Sequence, residues 1–193
     1  MTTIATAVCI RSYDITIASY VRGLALNGSG LASEIPDTLL LMVCAITAVA
    51  GVCYITRKNK GVYDRNTMFF HLVMYAAPAS FVVKSLLKYV FGRVTTREWL
   101  IKPHLYGFHW FHGGDVFGGF PSGHMVVFTA MAAALWRYYP RYRPACAGFL
   151  LVLALALIVT NYHFLSDVIA GAYLGVLSEF CTYKACRRCR PPA

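Results

Sequence analysis

Two short polar motifs interrupt the apolar second half of this 193-residue chain. The first is PSGH at 121–124, and the second places His163 four residues before Asp167. A carboxylate bonded to one ring nitrogen of a histidine leaves the other nitrogen free as a base or nucleophile. The histidine that ends the first motif, His124, is of the type that donates or removes a proton. This pair of motifs predicts group transfer through a covalent histidine.

Residues suited to binding an oxyanion lie beside these motifs. Ser122 is a common N-cap residue, and Gly123 allows a ligand to approach the backbone closely. The free amides and the dipole at a helix start attract phosphate. Upstream, Lys88, Arg93 and Arg97 add positive charge. The group transferred is therefore predicted to be a phosphoryl group.

Each motif taken alone also has a structural explanation. His124 is compatible with a buried histidine in a plainly capped helix. His163 and Asp167 are compatible with a structural pair, and Lys88 with a side chain that reaches the lipid headgroups. The depth at which the helices place these four residues in the membrane distinguishes a shared site from separate structural roles.

The elements that position the motifs are apolar helices. The chain is 58% hydrophobic and only 13% charged, whereas soluble domains carry roughly a quarter charged residues. A helix of about 20 residues crosses a bilayer core of about 30 Å. The apolar segments are 38–56, 68–91, 124–136, 145–162 and 168–183. We predict an all-α, polytopic membrane bundle of five transmembrane helices, with residues 121–123 and 166–167 as first turns of the third and fifth.

Basic residues are distributed unevenly between the ends of these helices. They concentrate in the loops after the first and third segments and in the C-terminal tail, which the positive-inside rule assigns to the cytoplasm. Those residues are Arg57, Lys58, Lys60, Arg65, Arg137, Arg141, Arg143, Lys184, Arg187, Arg188 and Arg190. Four helices then bring polar residues to the opposite, outer boundary: Lys88, His124, His163 and Asp167. Convergence at one depth favours a functional site over unrelated structural roles.

The N-terminal segment is less apolar than the others. Apolar residues recur there at helical spacing: Ile15, Ala18, Val21 and Leu24. Charged residues interrupt them, so we expect an amphipathic or partial helix in the membrane interface. The chain is thus divided into an interfacial segment (1–36), a transmembrane domain (37–183) and a basic cytoplasmic tail (184–193).

Signals for a metal, a cofactor or nucleic acid are weak. The tail pairs Cys186 with Cys189 at CxxC spacing, and a lone pair of this kind is poor evidence for zinc. The loop histidines at 104, 109 and 112 lack paired ligand spacing. The net charge of +10 is explained by topology and by anionic headgroups. We expect no metal, no cofactor and no nucleic-acid partner.

The two motifs resemble those of the type 2 phosphatidic acid phosphatase (PAP2) superfamily. Its motifs are commonly written K-x6-R-P, P-S-G-H and S-R-x5-H-x3-D, and the resemblance covers about 37–177. It implies that His163 attacks phosphorus, that Asp167 orients it, and that His124 protonates the leaving oxygen and then activates water. It also implies phosphate ligands at Lys88, Ser122 and the Gly123 backbone.

Two arginines of the family pattern are absent from their positions. Thr95 and Thr96 stand where the first motif has Arg-Pro, and Leu157 stands where the third motif has arginine. Some bacterial members resemble this chain instead, with Phe-Gly-Arg followed by tryptophan, as in 91–99. Arg93 is therefore assigned to the phosphate, with Arg97 or a loop histidine as alternatives. The family usually has six helices, so either residues 1–35 lie in the interface or the true start is upstream.

The resemblance implies a metal-independent lipid phosphatase of a bacterial inner membrane, with its site facing the periplasm. Candidate substrates are phosphatidic acid, phosphatidylglycerol phosphate, polyprenyl diphosphate and the phosphates of lipid A. Transfer of phosphate from lipid to lipid uses the same chemistry. A lipid-binding relative that has lost catalysis is the third possibility. Soluble haloperoxidases share the motifs, but the apolar segments argue against this reading.

Overall fold

The computed structural model describes residues 2–24 and 36–188, and in those ranges the regular structure is helical throughout. The predicted all-α membrane bundle is confirmed. Its helices, in chain order, are α1 (Thr2–Ser12), α2 (Asp14–Gly23), α3 (Pro36–Asn59), α4 (Arg65–Phe91), α5 (Thr96–Ile101), α6 (Gly123–Tyr138), α7 (Arg143–Val159) and α8 (Leu165–Arg188).

Within the described ranges, four helices are long and apolar enough to span a membrane. They comprise Thr38–Asn59, Arg65–Phe91, Pro140–Val159 and Leu165–Arg188. The remaining predicted span, the third apolar segment, is α6, which has 16 residues. At 1.5 Å per residue it is about 24 Å long, which is less than the bilayer core. It remains short because Ser122 precedes the helix as N-cap and is not part of its first turn.

α8 lies at the centre of the bundle, in contact with α6, α4 and α1. Two glycines one turn apart allow α6 to approach it closely. A β-carbon at Gly171 would lie 2.8 Å from the Ser122 carbonyl oxygen, and one at Gly175 would lie 2.5 Å from that of Val126. This is the small-xxx-small spacing that brings membrane helices together. It holds the start of α8 against the start of α6.

At the other end of the bundle, α6 and α8 are joined by an ion pair. Arg137 donates from Nε and Nη2 to the two carboxylate oxygens of Glu179, at 2.6 and 2.8 Å. Glu179 is buried and is the lone acidic residue of the apolar segment 168–183. The pair explains how this carboxylate is accommodated, because a buried charge requires a partner.

The N-terminal segment forms two helices that pack on the bundle. α1 contacts α8, and α2 contacts α7 and α8. The face that α2 buries consists of Asp14, Ala18 and Val21, whereas Ile15 and Leu24 are exposed. Of the predicted apolar face, Ala18 and Val21 are buried and the other two residues are not. The buried face of α2 packs against protein and includes the carboxylate of Asp14.

The tail boundary also differs from the prediction. α8 continues to Arg188, so residues 184–188 extend the last helix. Cys189, the second cysteine of the CxxC pair, lies outside the described residues.

Candidate active site

The chain enters α6 through a cis peptide bond between Phe120 and Pro121. Ser122 occupies the N-cap position, but its side chain makes no capping hydrogen bond. Its Oγ is buried and has no hydrogen-bond partner among residues 2–24 and 36–188. The first amides of a helix also lack intrahelical acceptors. Ser122 Oγ and these amides are the groups that an oxyanion at this helix start would contact.

The second motif is built on the turn between α7 and α8. Asp167 lies in the first turn of α8, as predicted, and its Oδ2 accepts a hydrogen bond from the Phe164 amide at 3.0 Å. His163 Nδ1 is 3.7 Å from the same oxygen, which is longer than a hydrogen bond. In the described part of the chain, both ring nitrogens of the buried His163 lack a partner. The Asp167-facing nitrogen is thus Nδ1.

The two motifs contact each other directly. The Ser122 amide donates to the Asp167 carbonyl oxygen at 3.1 Å. The ring of Tyr162 lies beside both histidines, with centroid distances of 5.7 Å to His124 and 5.1 Å to His163. The structure therefore brings His124, His163, Asp167 and Ser122 together. We call this group of four the motif cluster.

Three basic side chains surround the motif cluster. Lys84 and Lys88, from α4, are close enough to His124 to act on it electrostatically. The alkyl chain of Lys84 covers the helix start, since a β-carbon at Gly123 would lie 3.1 Å from its Cδ. The Arg97 guanidinium carbon lies 4.9 Å from the Tyr162 ring. These positions give the site a positive potential suited to a phosphate.

Burial determines the protonation of His163. The side chain is 4% exposed, and burial lowers its pKa because the charged imidazolium is poorly solvated there; the Asp167 carboxylate opposes this by raising the pKa. The net direction is downward. A neutral imidazole has a free lone pair, so the shift favours the nucleophilic form.

The structure holds Arg93, which the sequence assigned to the phosphate, between two carboxylates. Its side chain is fully buried, and it forms ion pairs with Asp14 and Asp167. Both terminal nitrogens of the guanidinium are therefore occupied by carboxylates. Contact between either terminal nitrogen and a phosphate in the motif cluster would require these pairs to break, whereas Nε is buried and has no hydrogen-bond partner among the described residues.

Sequence reasoning missed three features of the site. Asp14 is one of the charged residues that interrupt the N-terminal segment, and a lone carboxylate in an apolar segment is itself a signal. Lys84 lies one helical turn before Lys88, a spacing that places both on one face of a helix. Gly171 and Gly175 were recognisable from their GxxxG spacing.

The chain was compared with known families and proteins. The family model of the PAP2 superfamily matches residues 67–191. A lipid A 1-phosphatase of Rhizobium johnstonii is 33% identical over 125 residues, which are 63% of this chain and 48% of that protein. A lipid A 1-phosphatase of Rhizobium etli is 34% identical over 111 residues, which are 56% of this chain and 46% of that protein. This chain spans about half the length of these curated relatives. No solved structure matches it.

Proposed function

Because the chain belongs to the PAP2 superfamily, we propose that it is an integral-membrane phosphatase that removes phosphate from a membrane lipid through a phosphohistidine. The observation that carries this proposal is the contact between the two motifs. The hydrogen bond from the Ser122 amide to the Asp167 carbonyl oxygen joins the two motifs, and the Ser122 hydroxyl and both His163 ring nitrogens are buried without a hydrogen-bond partner among the described residues. Unsatisfied buried polar atoms of this kind favour a ligand that supplies the missing hydrogen bonds.

The reaction that fits this geometry has two steps. His163 Nε2 attacks phosphorus as the bond to the lipid oxygen breaks, and His124 donates a proton to that oxygen. Water then attacks the phosphohistidine, His124 removes a proton from the water, and the P–N bond breaks to release phosphate. The Asp167 carboxylate stabilises the positive charge that develops on His163. Lys84, Lys88, Arg97, Ser122 Oγ and the Gly123 amide hold the phosphate oxygens.

A lipid substrate is supported by an apolar groove whose lining on α6 begins at Phe128, one helical turn after His124. Phe128, Met131 and Leu135 lie on the same face of α6 as His124, at helical spacing. They line a cavity of about 580 Å³ between α3 and α7. The other contributors include Ala45 and Val49 of α3 and Phe149 of α7. We propose that an acyl chain occupies this groove while its phosphate lies in the motif cluster.

Among lipid phosphates, the phosphorylated glycolipid class is favoured, because the two relatives are named as lipid A 1-phosphatases. We place the protein in a bacterial inner membrane, with the motif cluster on the periplasmic side. The uneven distribution of basic residues supports this orientation. The positively charged loops and the C-terminus would then face the cytoplasm.

The proposal is tested with the full chain purified in detergent. It is incubated in EDTA with phosphatidic acid, phosphatidylglycerol phosphate, polyprenyl diphosphate and lipid A. We expect phosphate release from at least one substrate and a loss of at least about a thousandfold in His163→Gln. His71→Gln, near the end of α4 opposite Lys88, is the matched control. Absence of release from the whole panel, or full activity in His163→Gln, would contradict the proposal.

A labelled lipid diphosphate distinguishes hydrolysis from phosphotransfer. With added acceptor lipid present, we expect the label to appear in inorganic phosphate. Label recovered in the acceptor lipid would instead identify a phosphotransferase. An acid-labile phosphate trapped on wild-type protein and absent from His163→Gln would identify the covalent intermediate.

A further inference from the structure

We propose that Asp14, in the N-terminal helix pair, is a positioning residue that acts with Arg93 to hold Asp167, and through it His163, in the attacking geometry. This inference rests on the proposed function. It makes α1 and α2 part of the catalytic unit, although both lie before the matched family region at residues 67–191.

The first evidence is a chain of buried charges. Asp14, Arg93 and Asp167 each expose 1% of their surface or less. Arg93 Nη2 donates to Asp14 Oδ2 at 2.8 Å, and Nη1 donates to Asp167 Oδ1 at 2.5 Å. One guanidinium thus connects the start of α2 to the carboxylate that faces His163. Because hydrogen bonds to charged groups are directional, this connection fixes the rotamer of Asp167.

Asp14 also binds the first turn of α8 directly. Its Oδ1 accepts a hydrogen bond from the Ser166 amide at 3.0 Å, and its Oδ2 accepts one from Ser166 Oγ. Ser166 Oγ in turn accepts a hydrogen bond from Arg93 Nη1 at 2.6 Å. Ser166 immediately precedes Asp167, so backbone and side chain are both restrained at the position that sets the Asp167 carboxylate.

Asp14, Arg93 and Asp167 form a charged group that we call the trio. Its net charge explains how a second carboxylate, Asp14, could assist catalysis. A buried Arg93–Asp167 pair alone would be neutral, and the field of Asp167 at His163 would be largely cancelled. With Asp14 present, the trio carries a net charge of about −1. The attraction to a cationic phosphohistidine is thereby retained, while Arg93 keeps the two carboxylates from repelling each other.

Aromatic rings and loop backbone enclose the trio. The Arg93 guanidinium carbon lies 4.7 Å from the Phe164 ring, 5.2 Å from the Phe108 ring and 5.6 Å from the Tyr106 ring. The Tyr106 hydroxyl donates to the Ile10 carbonyl oxygen of α1 at 2.8 Å. Exclusion of water strengthens the ion pairs and limits their rearrangement. The N-terminal helices therefore complete the enclosure as well as supplying Asp14.

The kinetic test compares Asp14→Asn with Asp64→Asn in the full chain. Asp64 also pairs with an arginine, Arg57, but at the opposite end of the bundle. For Asp14→Asn we expect kcat to fall about 10- to 100-fold, with KM and inhibition by inorganic phosphate unchanged. Asp64→Asn should leave kcat unchanged. An unchanged kcat in Asp14→Asn, or a parallel loss of phosphate inhibition, would overturn the inference.

Arg93→Lys separates positioning from phosphate binding. Lysine keeps the charge but cannot bridge two carboxylates with parallel hydrogen bonds. We expect kcat to fall as in Asp14→Asn, while inhibition by inorganic phosphate stays within about twofold of wild type. A loss of phosphate inhibition of tenfold or more would show that Arg93 binds phosphate, and would overturn the role given to it here.

A spectroscopic readout does not depend on turnover. In full-length protein labelled with 15N-histidine, we expect His163 to carry its proton on Nδ1 in wild type and to show a mixture of tautomers in Asp14→Asn. Identical His163 spectra in the two proteins would overturn the inference. If wild type hydrolyses no lipid, the proposed function fails, and the His163 spectra still decide whether Asp14 positions the histidine.

Discussion

The backbone amide of Ser122 donates a hydrogen bond to the carbonyl oxygen of Asp167, at 3.1 Å. This contact joins the helix start that would bind phosphate to the turn that holds the proposed nucleophile, His163. It depends on the close approach of α6 and α8. Measurable predictions follow for five features: the Ser122 hydroxyl, the α6–α8 contact at Gly171, the Arg137–Glu179 ion pair, the apolar groove and the pKa of His163.

Loss of the Ser122 hydroxyl should weaken phosphate binding. In Ser122→Ala we expect KM and the inhibition constant of inorganic phosphate to rise together by roughly 10- to 150-fold, because one hydrogen bond to a charged group contributes about 1.5–3 kcal/mol. Ser178→Ala, a buried serine near the other end of α8, is the control. Unchanged phosphate inhibition in Ser122→Ala would show that the hydroxyl does not contact the phosphate.

Gly171→Ala should separate the two motifs. The new β-carbon would lie 2.8 Å from both the Ser122 carbonyl oxygen and Met125 Cβ, so α8 must move away from α6. A displacement near 1 Å at a reacting group can cost about 100-fold in rate. We expect a loss of this order in kcat/KM, together with a lower unfolding temperature in detergent.

The control for this substitution is Gly148→Ala in α7. A β-carbon there meets nothing within 4 Å, and alanine is the better helix former. Its activity and unfolding temperature should equal or exceed those of wild type. A fully active Gly171→Ala would mean that the α6–α8 contact is not needed for catalysis.

Glu179→Gln should reduce stability without affecting substrate binding. The substitution removes the charge from the pair with Arg137, which lies at the end of the bundle away from the motif cluster. We expect the free energy of unfolding to fall by about 1–3 kcal/mol with KM unchanged. Denaturation in detergent, followed by circular dichroism, measures the first quantity. A change in KM above threefold would contradict the separation of the two ends.

A bulky residue in the apolar groove should discriminate against long acyl chains. Ala45 is exposed on α3 and lines the groove, so Ala45→Trp fills it without disturbing the core. We expect KM to rise about tenfold for long-chain substrates and to stay unchanged for short-chain ones. Ala48→Trp, exposed on α3 but outside the groove lining, is the matched control. Equal effects of the two variants would exclude the groove as an acyl site.

The pH dependence of kcat/KM should reflect the lowered pKa of His163. The nucleophile acts as neutral imidazole, so activity is present above its pKa and is lost as pH falls through it. Because burial lowers this pKa, we expect the acid limb to lie below about pH 6.5, the ordinary histidine value. In Asp167→Asn, which removes the raising influence of the carboxylate, the limb of the residual activity should move to still lower pH. An acid limb above pH 7 in wild type would contradict this assignment.

Much of this protein could be predicted from sequence, because its strongest signals are local. Long apolar segments can satisfy their backbone groups in lipid only as helices, which determined the fold class. The spacing of PSGH and of His163 and Asp167 determined which residues the helix ends would carry. The direction of successive helices then placed these ends at one side of the bundle.

The tertiary structure decided the contacts between residues distant in sequence. In sequence, Arg93 lies two residues before Thr95, the position at which the family pattern has an arginine. In the structure, its guanidinium is buried between Asp14 and Asp167. No local pattern relates Asp14 to a carboxylate more than 150 residues away. A buried arginine is stabilised by the nearest carboxylates, and which carboxylates are nearest depends on how α2, α8 and the loop after α4 pack together.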